Sequence, residues 1–546
     1  MYALVSRSDR TTESQHPQLG RVMALDHGET IAYRGIKYAE LQHAFAEPVL
    51  FAHPSLSKVL DATSYGPQCV QGSATCDAEF AFIQHELPRG EFKTSLTECL
   101  NLNITTPKGG REGLQPLPVF VFIHGGGFSL GGNAWPQYDP ARLVELSIRE
   151  GSPVIGININ YRLGLPGFLA SQGLIDAGAR ANNGLRDQRV ALLWIRKYVG
   201  GFGGDPENVT VVGESAGSVA AFLHLESTQP LFKRILAMGG SPLLLKPLTM
   251  AAASGIHNVV MERLGFAQMQ TADEKVRALK EASADQLVAA AEGLPMLPVV
   301  DGEYVKSEST FTQWSFQESA LPGTQWCESV MIGDCEMDSS ILFYMLHDRQ
   351  ARLEETFLAC VNDSLHENPV AKQQLLEAYH IGSGSGNDAQ NQAVATDNIL
   401  HFAQDIGFYA PLVTIASGFP GKRFVFHFNE PNPWDGRYQG VASHLLDAAF
   451  LYQNFNEFLD EAQRGSAEAF GKHFVAYVAG REPFPQFAPG ERGAMVYGAG
   501  GDDRQTFVRS RRCEDVGRRS TIFRLAQSSS LEELSALWGC FLSRVE

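Results

Sequence analysis

The run VTVVGESAGSVA, residues 209–220, decides the fold. Its opening residues are mostly β-branched and apolar, as suits a strand buried on both faces. Its closing residues are small and suit the start of a helix. Between them Ser215 stands in Gly213-Glu214-Ser215-Ala216-Gly217. The two glycines leave room for a tight strand-to-helix turn that carries the serine in a strained conformation. Such a turn exposes the hydroxyl at the carboxyl end of a sheet and aims the next helix's first N–H groups at the same spot. A serine hydroxyl is a poor nucleophile by itself, so the pattern asks for a base and for oxyanion donors elsewhere in the chain. Taken alone, G-x-S-x-G also fits an ordinary turn, because so short a motif recurs by chance.

Outward from this stretch, short apolar runs recur: VFVFI (119–123), VIGINI (154–159), RILAMGG (234–240), VMIG (330–333) and RFVFHF (423–428). Runs apolar on both faces predict strands of a mostly parallel sheet. LRDQRVALLWIRKYV (185–199) places apolar residues at 185, 192, 195 and 199, a helical stripe, and ends in glycines. Alternating strands and helices predict one α/β domain, a central sheet flanked by helices. Residues 245–300 are mostly helical in pattern and predict an insertion over one end of the sheet. Residues 381–388, IGSGSGND, have a loop composition, and the tail from about 505 is locally basic, a surface segment or a final helix.

A second motif precedes the serine. VFVFIHGGGF (119–128) is a strand followed by His124 and three glycines. Backbone without side chains lets N–H groups approach a substrate closely, as an oxyanion hole requires. A phosphate loop would want G-x-x-x-x-G-K-[ST], and no lysine follows here.

With both motifs in this order the chain resembles the type B carboxylesterase and cholinesterase-like family of the α/β-hydrolase fold. YRGIKYAE (33–40), TECLNLNI (97–104), NYRLGLPGFLA (160–170), LRDQRVALLWI (185–195) and FGGDPENVTVVGESAG (202–217) are similar to family blocks, in family order. The resemblance implies a serine hydrolase that cleaves a small-molecule carboxylic ester through an acyl-enzyme. It implies Ser215 as nucleophile, the N–H groups of Gly126, Gly127 and Ala216 as oxyanion hole, and Glu214 as a buried acid of the active-site network. In VMIGDCEMDSSILF (330–343) it places the triad acid at Asp338, where most members have Glu, with Glu336 as competitor. Seven histidines follow Asp338; only His444, in GVASHLLDAAFLY (440–452), sits in a glycine-led loop running into an apolar helix, as the family base does. It implies a bridge between Cys69 and Cys99. No cofactor and no metal is expected. Acyl transfer, thioester or lactone cleavage would use the same triad. A non-catalytic binding relative would lack the serine or histidine, and both are present. The chain departs from the family at Lys37 with ELQHAFAEP (40–48), and at FPQFAPGERGAMVYG (484–498).

Composition sets outer limits. The 44 Lys and Arg against 61 Asp and Glu give a net charge of −17, which repels nucleic-acid phosphates and anionic membranes. No stretch approaches the apolar length of a membrane span. The N-terminus lacks the apolar run of a secretory signal, so the sequence predicts a cytoplasmic protein, or a secreted one if it is a processed form. In a reducing compartment its eight cysteines would stay as thiols.

Overall fold

The computed structural model describes residues 10–52, 58–109, 115–316, 321–346, 352–382, 389–488, 492–498, 504–510 and 518–544. Segment 383–388 of the predicted loop and Cys513 lie outside the described residues.

In chain order the sheet strands are β1 (Arg10–His16), β2 (Gly20–Asp26), β3 (Thr30–Lys37), β4 (Asn101–Pro107), β5 (Leu117–Ile123), β6 (Ile155–Ile159), β7 (Gly204–Glu214), β8 (Arg234–Met238), β9 (Ser329–Cys335), β10 (Lys422–Phe428), β11 (Arg492–Tyr497) and β12 (Gln505–Ser510). They lie side by side as β1-β2-β3-β4-β6-β5-β7-β8-β9-β10-β11-β12, with Leu60–Asp61 paired beside β2. From β6 to β11 every pairing is parallel. At the two edges the pairings of β1 to β4 with one another and with β6, and of β11 with β12, are antiparallel. The apolar runs read from the sequence are the parallel centre. The polar β1, RTTESQH, carries no such run because one of its faces meets solvent.

The centre is buried on both faces because successive side chains alternate between two cores. Val119, Val121, Ile123 and Val211 enter one, while Phe120, Phe122 and Val212 enter the other. The helix Asn183–Tyr198 lays its predicted stripe, Leu185, Leu192 and Ile195, into the first core. Its Asp187 accepts from Nε and Nη2 of Arg162 at 2.8 and 2.7 Å, both side chains fully buried. Arg162 Nη1 then donates to the carbonyls of Ala44 and Ala46, fixing the segment in which the chain departs from the family pattern.

Residues 245–300 form the helices Met250–Arg263, Ala272–Glu281 and Ala284–Ala291. A parallel bridge between Leu248 and Val299 closes their base, and the Asn182 side chain bonds both backbone groups of Val299. The tail carries β12 and then the helices Thr521–Ser528 and Leu531–Ser543, the latter burying Leu537, Trp538 and Phe541. Contrary to the expectation that no stretch approaches the apolar length of a membrane span, one helix among the described residues, Asn391–Gly418, is long and apolar enough to cross one, and 94% of its apolar window is buried inside the protein.

Candidate active site

Parallel strands end in register, and the site stands on those ends. Ile123 pairs with Gly213, Glu214 with Met238 and Met238 with Gly333, so the loops leaving β5, β7, β8 and β9 emerge side by side. Ser215 follows β7 with φ 50° and ψ −120°, and the helix Ala216–Leu223 begins at once. A non-glycine residue in this region is strained by about 1–3 kcal/mol, and the surroundings must over-determine it. They do so by close packing. A Cβ on Gly217 would meet Ile123 O at 1.9 Å, one on Gly213 the Gly217 carbonyl at 2.5 Å, and one on Gly240 Ser215 O at 2.3 Å. Ser215 N–H donates to Met238 O at 2.9 Å.

After β5, Gly126 and Gly127 have φ of +92° and +59°. A Cβ on Gly126 would strike Leu130 O at 2.3 Å, whereas one on Gly127 would meet nothing within 4 Å, so Gly127 borders open space. Gly125 leaves no such room: a Cβ there would lie 2.2 Å from Glu214 Oε2 and 2.9 Å from Ser215 Cβ. The glycine loop is thus pressed against the serine turn, whose first helical N–H, that of Ala216, has no partner within its helix. His124 is a buttress. Its ring stacks on Tyr161 with centroids 4.4 Å apart, its Nδ1 lies 3.0 Å from Gly125 O, and burial lowers its pKa to about 4, so it is neutral.

Asp338, on the turn after β9, is fully buried. Its Oδ2 accepts from Cys335 N–H at 2.8 Å, and its Oδ1 lies 2.7 Å from His444 Nδ1. Burial raises its pKa, opposed by the bond to His444. Glu336 is exposed, so of the two acids weighed it is Asp338 that meets the imidazole. The His444 loop is tied to the Asp338 turn by Met337 N–H to Ala442 O at 2.9 Å and His444 N–H to Ser340 Oγ at 2.9 Å. Leu445, at φ 73°, turns it into the helix Leu446–Leu451. Gly239 and Gly240 join the two halves: a Cβ on Gly239 would lie 2.9 Å from Asp338 Oδ1 and 3.0 Å from His444 Cε1, while Gly240 abuts Ser215.

The other ring nitrogen, His444 Nε2, lies 3.3 Å from Glu214 Oε1, without hydrogen-bond geometry. Glu214 is buried, and desolvation, then the acids Glu79, Asp447 and Asp338, hold it well above the usual carboxylate range. Two of these neighbours escaped the sequence reading. Glu79, on the helix Thr75–Ile83, accepts from Gln137 Nε2 at 2.8 Å, and burial pushes it to about 7. Asp447 accepts from Ala448 N–H at 2.8 Å and is pushed to about 7, by burial first and then by Asp338. Asp447 had a signal, its place three residues after His444; Glu79 had none, since its burial and its bond to Gln137 are made by tertiary packing between segments far apart in the chain.

The expected bridge between Cys69 and Cys99 is not formed. Both are buried free thiols, and Cys69 is pushed well up by burial and by its hydrogen bond with Cys99. A cleft of about 220 Å³ borders the Gly239–Gly240 turn, lined also by Ser241, Ile332, Phe408 and Leu412, and none of Ser215, Asp338 and His444 lines it. A larger surface cleft, over Tyr33, Asn103 and Trp135, is lined by none of Ser215, Asp338 and His444.

A parallel-centred sheet with a strained serine between strand and helix, facing a glycine loop and a buried His–Asp pair, defines an α/β-hydrolase. The chain belongs to the carboxylesterase family, whose model matches residues 17–479. It is 35% identical over 462 residues to para-nitrobenzyl esterase of Bacillus subtilis, covering 80% of this chain and 82% of that one. It is 28% identical over 470 residues to Lipase 3 of Yarrowia lipolytica, covering 84% and 86%. A solved PNB esterase structure superposes with a TM-score of 0.70 at 23% identity, covering 94% of this chain and 100% of the other, a likeness of fold. The protein is a carboxylic ester hydrolase acting on small-molecule esters.

Proposed function

We propose that hydrolysis proceeds through an acyl-enzyme on Ser215, with His444 as general base and Asp338 as its orienting acid. The observation that carries this reading is the 2.7 Å contact between His444 Nδ1 and Asp338 Oδ1, with the opposite ring nitrogen turned toward the Ser215 elbow at Glu214. With Nδ1–H donated to Asp338 Oδ1, the imidazole has Nε2 free to accept the Ser215 hydroxyl proton. Ser215 Oγ attacks the ester carbonyl, and the N–H groups of Gly126, Gly127 and Ala216 stabilise the oxyanion. His444 returns the proton to the departing alcohol, then activates water to release the acid. Desolvation raises the Glu214 pKa well above its ordinary value, which disfavours a negative charge beside the imidazole. The same proposal places the protein inside the cell, as a metabolic or biosynthetic esterase in the cytoplasm. The described cysteines, all free thiols, favour a reducing compartment.

The test is a fluorophosphonate probe with a nitrophenyl ester assay run alongside. Wild type should label stoichiometrically, and Ser215→Ala should lose both labelling and turnover while keeping its thermal midpoint. Retained turnover in a folded Ser215→Ala protein would remove Ser215 from the mechanism.

A further inference from the structure

Two cysteines outside the ester chemistry meet at the C-terminal helix. Cys360 lies on the helix Leu353–Ser364 and Cys540 on the helix Leu531–Ser543. They are 180 positions apart in the chain, yet the Cys540 thiol donates to the Cys360 sulfur across 3.7 Å. Cys360 is fully buried, whereas Cys540 is exposed. Aromatic packing holds the two helices in this register. Phe357 and Phe541 meet edge to face with centroids 5.2 Å apart, and Phe402 packs on both Phe357 and Trp538. The helices cannot slide without breaking that cluster, so the sulfurs stay opposed.

A charge is placed on the buried sulfur as well. Arg544 Nη1 donates to Cys360 Sγ at 3.3 Å and is itself held by Asp363 at 3.2 Å. A guanidinium there balances the negative charge that develops on sulfur when a thiol attacks or leaves.

We propose that Cys360 and Cys540 are a redox-responsive pair, which a low-molecular-weight disulfide closes into an intrachain bridge that fastens the C-terminal helix to the helix Leu353–Ser364. The solvent-facing Cys540 attacks first as its thiolate. Its S–S bond to one half of the reagent forms, the reagent's own S–S bond breaks, and the released thiolate takes up the proton that Cys540 gave away. Cys360, deprotonated in turn, attacks the Cys540 sulfur, and the second half of the reagent leaves with that proton. Two protein thiols are oxidised and one disulfide is reduced to two thiols, with no other acceptor required. From 3.7 Å the sulfurs have less than about 2 Å to close before they reach the bonding distance of about 2 Å. Burial, then the Cys360 sulfur, hold the Cys540 thiol above its ordinary range, with Asp363 adding to this and Arg544 opposing it. Closure is therefore slow at neutral pH and faster in mild alkali.

The experiment treats the full chain with oxidised glutathione, caps remaining thiols, and maps peptides without reduction. Wild type should yield a linked peptide joining Cys360 to Cys540, lose two hydrogen atoms in mass at that pair, and revert with dithiothreitol. Its thermal midpoint should rise by a few degrees on oxidation, because the bridge closes a long loop of the unfolded chain. Cys360→Ala should stop at a glutathione adduct on Cys540, with no rise. Wild type that accumulates the adduct without the linked peptide overturns the pairing. A linked peptide with an unchanged midpoint overturns the fastening. Both readings come from the wild-type protein, so they survive a variant that folds poorly.

Discussion

His444 and Asp338 are 106 positions apart in the chain and 2.7 Å apart in space, joined Nδ1 to Oδ1 inside a buried wall. The second Asp338 oxygen is held by Cys335 N–H, so the carboxylate cannot rotate away from the ring. An amide at this position keeps the shape but can present its NH₂ to the ring and reverse the tautomer. Asp338→Asn should lower kcat by about 10³–10⁴-fold with little change in KM, as loss of the orienting acid does in serine hydrolases. Glu336→Gln, on the exposed neighbour, should leave kcat within twofold. Steady-state kinetics on a nitrophenyl ester decide it; comparable losses in the two variants would dismiss Asp338 as the partner.

The backbone of Ser215 makes a prediction about stability. Its φ of 50° with ψ −120° is tolerated by glycine and strained for any side chain. Ser215→Gly should release about 1–3 kcal/mol of strain, offset by roughly 1 kcal/mol of extra chain entropy in the unfolded state. Ser215→Ala keeps the strain. The glycine variant should therefore unfold at higher urea than the alanine variant, both being inactive. A glycine variant weaker than the alanine one would mean that the elbow stores no strain.

Much of this site was legible because its demands are local. At Gly217 the space left by Ile123 O admits no Cβ, and such a position prints itself on the sequence as a fixed glycine. The central strands were legible for a related reason, since two buried faces leave β5 and β8 almost no polar residues. The edge strand β1 was not, because even its less exposed face, Thr12, Ser14 and His16, carries no apolar residue. The resemblance pointed to Asp338, but the residues after β9 do not by themselves say which acid meets the imidazole. That depends on a turn in which Asp338 folds back onto Cys335 N–H while Glu336 points to solvent.

The Arg162–Asp187 pair is a stability prediction of a different kind. Both groups are fully buried and doubly bonded to each other, and Arg162 also holds the carbonyls of Ala44 and Ala46. Asp187→Asn leaves a buried guanidinium without its counter-charge and should cost about 3–5 kcal/mol. Urea unfolding measures it, and the 40–48 segment should become the first site of limited proteolysis. A loss below 1 kcal/mol would show that the cation finds other compensation.

Glu79 links the buried acids to pH. Burial raises its pKa from 4.5 to about 7, so between those values the folded protein holds a proton that the unfolded chain has released. Where the native state binds more protons, stability falls as pH rises. The contribution is fully present below pH 4.5 and is lost as pH passes about 7. Over that window the loss is about 3 kcal/mol. Asp447, also near 7, adds a fall of the same sign that is common to wild type and variant. Glu79→Gln mimics the protonated acid and can still accept from Gln137 Nε2. Its stability should therefore fall less than that of wild type between pH 5 and pH 8, leaving the variant the more stable protein at pH 8. Urea midpoints at the two pH values test this, and parallel losses in both proteins would mean that Glu79 is already ionised in the folded state.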